Sequence, residues 1–173
     1  MFTQRAIGLL IPIFILLCAN LALAGFAGSV TISIKIPEVL KLEIDETPLD
    51  FDLGHPKPGE TYPPLNFPAY YTPANDNGYP IRVFCNFDRI WTLSVGVNSD
   101  LVSRDSILPT DRLEWTVSQD WHDMSLTPSP MFSGGRGTAW QEWRVYYRLR
   151  IEGDEKGIND VYRTTVVYTF AAS

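Results

Sequence analysis

Ile81-Arg82-Val83-Phe84-Cys85-Asn86-Phe87, a polar link at Asp88-Arg89, and Trp91-Thr92-Leu93-Ser94-Val95-Gly96-Val97 decide the fold class. In the second run Trp91, Leu93, Val95 and Val97 alternate with Thr92, Ser94 and Gly96. A period of two puts the two sets on opposite faces of an extended chain, as in a half-buried strand. In the first run Ile81, Val83, Cys85 and Phe87 share a face in the same way. Two such runs joined by a short polar link read as an antiparallel hairpin lying on a core.

The same alternation recurs outward from this pair. Val30, Ile32, Ile34 and Ile36 alternate with Thr31, Ser33 and Lys35, and Pro37 stops the run because proline cannot donate to a ladder. Leu40, Leu42 and Ile44 alternate with Lys41 and Glu43, and Leu49 to Leu53 reads as a short strand. Downstream, Leu113, Trp115 and Val117 form one set. Trp143, Val145, Tyr147, Leu149 and Ile151 form the longest regular one. Val161 to Phe170, rich in Thr, Val, Tyr and Phe, suits a pleated surface and closes the chain's pattern. Residues 25–173 carry no amphipathic helical period and no internal repeat. Seven or eight strands separated by turn signals predict an all-β domain, an antiparallel two-sheet sandwich of immunoglobulin-like type.

Two stretches interrupt the pattern. Residues 54–80 hold Pro56, Pro58, Pro63, Pro64, Pro68, Pro73 and Pro80 together with Tyr62, Phe67, Tyr70, Tyr71 and Tyr79. That proline density excludes helix and central strand, so an extended connection with its aromatics packed back on the domain is expected. Asp120 to Thr138 reads as a long loop with Trp121, Pro128, Pro130 and a Gly134-Gly135-Arg136-Gly137 tip.

The first residues read as a targeting segment. Arg5 supplies a positive start, Ile7 to Leu17 an apolar stretch, and Ala22-Leu23-Ala24 a small-residue cleavage site before Gly25. This is the pattern of a secretory signal peptide spanning residues 1–24. The apolar run is short beside the ~20 residues of a bilayer span. The expected location is therefore secreted and cell-surface associated, with membrane contact only through the signal. The bulky Leu17 before Cys18 does not fit lipid attachment at that cysteine.

The formal net charge of -6 argues against nucleic acid and against anionic membrane surfaces, both of which require clustered positive charge. Once the signal is gone a single thiol remains. Cys85 alternates with Val83 and Phe87, which predicts a buried and inert side chain.

No catalytic constellation stands out. His122 lies among Asp120, Asp123 and Ser125, but neighbours in one loop seldom converge as a nucleophile, base and orienting acid must. There is no Gly-x-Ser-x-Gly elbow and no phosphate-cradling Gly-Lys-Ser/Thr ending. Two distant histidines and one thiol do not make an ordinary transition-metal site. Asn75-Asp76-Asn77-Gly78 offers oxygens for calcium but has the composition of a turn. The sequence predicts no catalytic residue, no cofactor and no metal. The residues suited to a ligand or partner surface are Trp121, Trp140, Tyr70 and Tyr71, because exposed aromatic rings stack on sugars and anchor interfaces.

Trp91-Thr92-Leu93-Ser94-Val95, after its short polar turn, resembles the first Trp-x-Leu motif of WxL-type domains. Tyr162-x5-Tyr168-Thr169-Phe170 resembles that family's closing strand, with Tyr and Phe standing where the second motif has Trp and Leu. The run ending in Ile36-Pro37 is similar to the start of small exported bacterial β-domains, fimbrial subunits among them. The resemblance implies a non-catalytic bacterial surface protein that binds cell-wall polymer or other surface proteins. Two further expectations stand beside it. One is a filament subunit in which Val30, Ile32, Ile34 and Ile36 form a donor strand for another copy. The other is a carbohydrate-binding module built on the tryptophans.

Overall fold

The computed structural model describes residues 31–74, 77–137, 139–157 and 160–173. The proposed signal peptide and Val30 lie outside the described residues. Pro37–Ser173 forms one compact unit, and residues 31–36 belong to a separate N-terminal one.

The compact unit is all-β. Its strands are β1 (Leu40–Ile44), β2 (Ala69–Tyr71), β3 (Tyr79–Cys85), β4 (Trp91–Val97), β5 (Leu101–Val102), β6 (Ile107–Leu108), β7 (Leu113–Thr116), β8 (His122–Asp123), β9 (Ser129–Gly134), β10 (Gln141–Ile151) and β11 (Val166–Ala172). One turn of 3-10 helix, Thr110–Arg112, precedes β7. All pairings are antiparallel. A six-stranded sheet runs β1-β3-β10-β7-β8, with β2 also paired to β10; a three-stranded sheet runs β11-β4-β9; β5 and β6 pair with each other.

The two larger sheets close over one core. From the first come Ile81, Val83, Cys85, Trp115, Val145 and Tyr147. From the second come Trp91, Leu93, Val95 and Val97. The layers meet through rings: Trp91 stands edge-on to Trp143 with centroids 6.2 Å apart, and the Tyr147 and Tyr168 hydroxyls hydrogen-bond to each other. Trp91 is held on several sides. Its Nε1 donates to the Gly135 carbonyl at 2.7 Å, Phe170 packs edge-on at 5.4 Å, and a Cβ at Gly134 would fall 2.6 Å from its ring. Cys85 is buried and its sulfur lies 3.5 Å from the Phe87 carbonyl.

Several expectations are corrected. β3 and β4 do not form a hairpin. β3 pairs with β1 and β10, β4 with β11 and β9, so the link Asn86–Ile90 carries the chain from one sheet to the other. Both runs alternate because both face the same interior, from opposite sides. Leu49 to Leu53 is not a strand: Leu49, Phe51 and Leu53 pack inward, but the segment joins no ladder. The stretch from Asp120 to Thr138 is not simply a loop, since it contains β8 and β9. β9 tolerates Pro130 because it is an edge strand with a register shift opposite Leu93/Ser94.

The proline-rich connection is likewise interrupted by β2, and Pro80 lies within β3. The Pro80 carbonyl accepts from the Asp45 amide just past the end of β1. In an antiparallel strand a residue's N and O point to the same side. The missing N–H of Pro80 therefore faces a position where the ladder has ended. The aromatics of this connection divide: Tyr71 and Tyr79 are buried, while Tyr62, Phe67 and Tyr70 remain exposed.

The run before Pro37 departs furthest from expectation. Residues 31–36 are in no strand, and Ile32, Ile34 and Ile36 are 79%, 80% and 77% exposed.

Candidate binding surfaces

β10 sorts its side chains by parity. Val145, Tyr147, Leu149 and Ile151 point into the core, so Arg144, Tyr146, Arg148 and Arg150 line the outer face of the large sheet. β7 sits beside it in register Tyr146↔Thr116 and Arg148↔Glu114. Glu114 therefore emerges on the outer face, yet only 3% of it is exposed. Two arginines cover it: Arg148 Nε donates to its Oε2 at 2.5 Å and Arg150 Nη1 to its Oε1 at 3.0 Å. Asp123 and Glu152 also bind Arg150, at 3.1 and 2.9 Å. A carboxylate this deep is tolerable only when it is paired and hydrogen-bonded.

Arg148 is also stacked. Its guanidinium lies 3.9 Å from the Tyr70 ring centroid and 4.2 Å from that of Trp121. A flat cation between two aromatic faces, tied at its nitrogens to Glu114, fixes the position of Trp121. The structure thus brings together two of the four aromatic residues singled out from sequence. Trp140 belongs to a different cluster, with Phe84 at 5.7 Å and with Lys41 and Arg82 over its ring at 5.2 and 4.9 Å. Tyr71 is buried in a second small core with Leu149 and Ile151, and its hydroxyl donates to the Thr61 carbonyl.

Beside Trp121 the large sheet has a gap. β2 pairs with β10 at Leu149–Ile151 and β3 pairs with it at Gln141–Val145. Between them, β10 has no strand on that side among the described residues. The result is a notch of about 330 Å³, with Thr72, Gly78, Thr116, Ser118, Trp121 and Tyr146 around it. Gly78 has φ 74°, and a Cβ there would come within 2.8 Å of the Tyr146 ring. Only glycine fits both that backbone and that approach. Sequence reasoning found Trp121 but missed Tyr146, Thr116 and Ser118. They lie on the polar side of their strands or in a turn and carry no signal of their own.

His122, close in sequence to Asp120 and Asp123, packs its ring 4.8 Å from Trp115, and its ring nitrogens make no hydrogen bond among the described residues. His55 pairs with Asp52 at 2.9 Å on an exposed turn.

The second surface is an edge. The three-stranded sheet ends at β11, Val166-Val167-Tyr168-Thr169-Phe170-Ala171-Ala172, which pairs on one side with β4. Its inward side chains, Val166, Tyr168, Phe170 and Ala172, are only partly buried. Other edges carry protection: Pro130 and a register shift in β9, Lys41 and Glu43 in β1, a length of two residues in β8. β11 has no charge, no proline and no bulge, the features that ordinarily block strand addition.

No protein-family model, curated protein or solved structure matches this chain. The two stretches that carry the WxL resemblance are neighbours in one sheet, with Leu93 opposite Phe170 and Trp91 opposite Ala172. Trp91 and Leu93 are buried, so they can serve the core but cannot touch a ligand.

Proposed function

We propose that this protein is an exported, non-catalytic surface subunit of immunoglobulin-like type that associates with further copies by strand addition. The run Thr31–Ile36 of one copy lies along β11 of the next. One observation carries the reading: three isoleucines at alternating positions stand more than three-quarters exposed, in a segment without a strand of its own. Water strongly disfavours such a face, and burying it against another chain returns roughly 2 kcal/mol per isoleucine before the cost of ordering the segment. β11 supplies what that segment lacks, an uncharged edge with a half-covered apolar inner row. The export signal, the Ile36-Pro37 opening and the WxL-like strands support a bacterial cell-surface setting, with wall polymer or other surface proteins as neighbours.

Sedimentation of the purified full chain over a concentration series tests the assembly. Wild type should form oligomers that a Thr31–Ile36 peptide suppresses, and Ile34→Lys should remain monomeric. A wild-type chain that stays monomeric throughout, or an Ile34→Lys chain that assembles equally well, defeats the reading.

A further inference from the structure

We infer that the notch between β2 and β3 is a binding site for a ring of a neutral saccharide, with Trp121 and Tyr146 as stacking faces and Ser118 and Thr116 as hydroxyl partners. This goes beyond strand addition and uses no residue of β11 or of the N-terminal run. The notch has the volume of a small-ligand pocket, at the lower end of the usual ~300–1,000 Å³. Its rings are held in place before any ligand arrives. Trp121 is stacked on Arg148, which is tied to Glu114, and Tyr146 rests against Gly78. Preorganised faces of this kind lose little entropy on binding.

The polar groups point to the ligand class. Tyr146 Oη, Ser118 Oγ and Trp121 Nε1 have no hydrogen-bond partner among the described residues, and Thr116 Oγ1 only accepts, from the Ser118 amide. Such groups gain from a ligand that presents several hydroxyls around an apolar face, and a pyranose ring does both. Charge does not favour an ionic ligand. Arg148 is engaged by Glu114, and Arg144 donates to the Asn77 and Gly78 carbonyls at 3.0 and 3.2 Å. Trp140 and Tyr71 take no part, the first because it lies in another cluster and the second because it is buried.

The test titrates the full chain with cellohexaose, chitohexaose and, as a contrasting aromatic-groove ligand, decaproline. Tryptophan fluorescence and amide chemical shifts are the readouts. At least one oligosaccharide should bind saturably, with shifts centred on Thr72, Thr116, Ser118 and Tyr146. Tyr146→Ala should weaken binding about tenfold, the loss of one aromatic face. Ser118→Trp, which fills the notch from a turn without touching the core, should abolish it while leaving the melting temperature unchanged. It also serves as the decisive variant should Tyr146→Ala fail to fold. Saturation by neither sugar, binding retained in Ser118→Trp, shifts centred elsewhere, or saturation by decaproline alone would each overturn the assignment.

Discussion

Two runs of this chain alternate equally cleanly and end in opposite places. Trp91–Val97 places Trp91, Leu93, Val95 and Val97 in the core, and Thr31–Ile36 leaves Ile32, Ile34 and Ile36 in water. Alternation states which face of a strand must be covered and says nothing about what covers it. For β4 the cover comes from the same chain, in the form of β3, β7 and β10 across the core. Ile32, Ile34 and Ile36 stand exposed among the described residues, and under the proposed function their cover comes from another copy.

The largest effect expected from this contrast is on the buried side. Trp91→Ala removes a side chain packed against Trp143, Phe170 and Gly134 and leaves the Gly135 carbonyl without its donor. The expected loss is about 4 kcal/mol, the cost of a large cavity plus an unmet acceptor. Set against the ordinary stability of a domain, that is a large fraction of the total. Urea unfolding followed by the remaining tryptophans measures it as a shift in midpoint at nearly constant slope. A loss under 1 kcal/mol would mean that the two sheets do not close on this ring.

How far the sequence could be read follows from the same contrast. β3, β4 and most of β10 are legible because each keeps a buried row, and a period of two reports that directly; β1 and β7 alternate in residue type alone, since β1 stays largely exposed and β7 is buried on both faces. Pairing is not legible, because Ile81–Cys85 and Trp91–Val97 would look the same in one hairpin or on facing sheets. β9 is hidden by Pro130 and Gly134, which an edge strand accepts. Glu114 breaks the pattern from the other direction: it sits at an outward position and is buried all the same, because Arg148, Arg150 and the Trp121–Tyr70 stack form a partial second layer. The notch beside that layer comes from where β2 stops and β3 starts along β10, a property of three strands together and of no single stretch.

A smaller effect, also on the buried side, comes from pH. Tyr147 and Tyr168 meet hydroxyl to hydroxyl between the sheets, with Tyr79 edge-on to Tyr147 at 5.6 Å. Burial, reinforced by the neighbouring phenols, raises the Tyr147 pKa well above 10.0. Burial likewise pushes Tyr168 up to about 12. The folded state holds these protons more tightly than the unfolded chain, so their contribution is complete below about pH 10 and declines as pH rises through about 12. The loss expected for Tyr168 is about 2–3 kcal/mol, read from denaturation midpoints along an alkaline series. The double variant Tyr147→Phe/Tyr168→Phe should remove most of that decline. A decline of equal depth in the double variant would place its origin outside this pair.

The smallest expected effect lies on the exposed side and is the most discriminating. Ile34→Ala, measured at a concentration where the protein is monomeric, should change unfolding free energy by less than about 0.5 kcal/mol, the usual range for a surface position. Ile34 is a β-branched aliphatic with alternating neighbours, as is Val95, where truncation to alanine creates a cavity in a closed core. If the loss at Ile34 instead approached 2 kcal/mol in the monomer, the run would be covered by its own chain in solution. No face would then be left for a second copy, and the contrast between the two runs would vanish. A value near zero in the monomer, rising with protein concentration, locates the missing cover between molecules. Stability acquires that concentration dependence whenever association binds only the folded form.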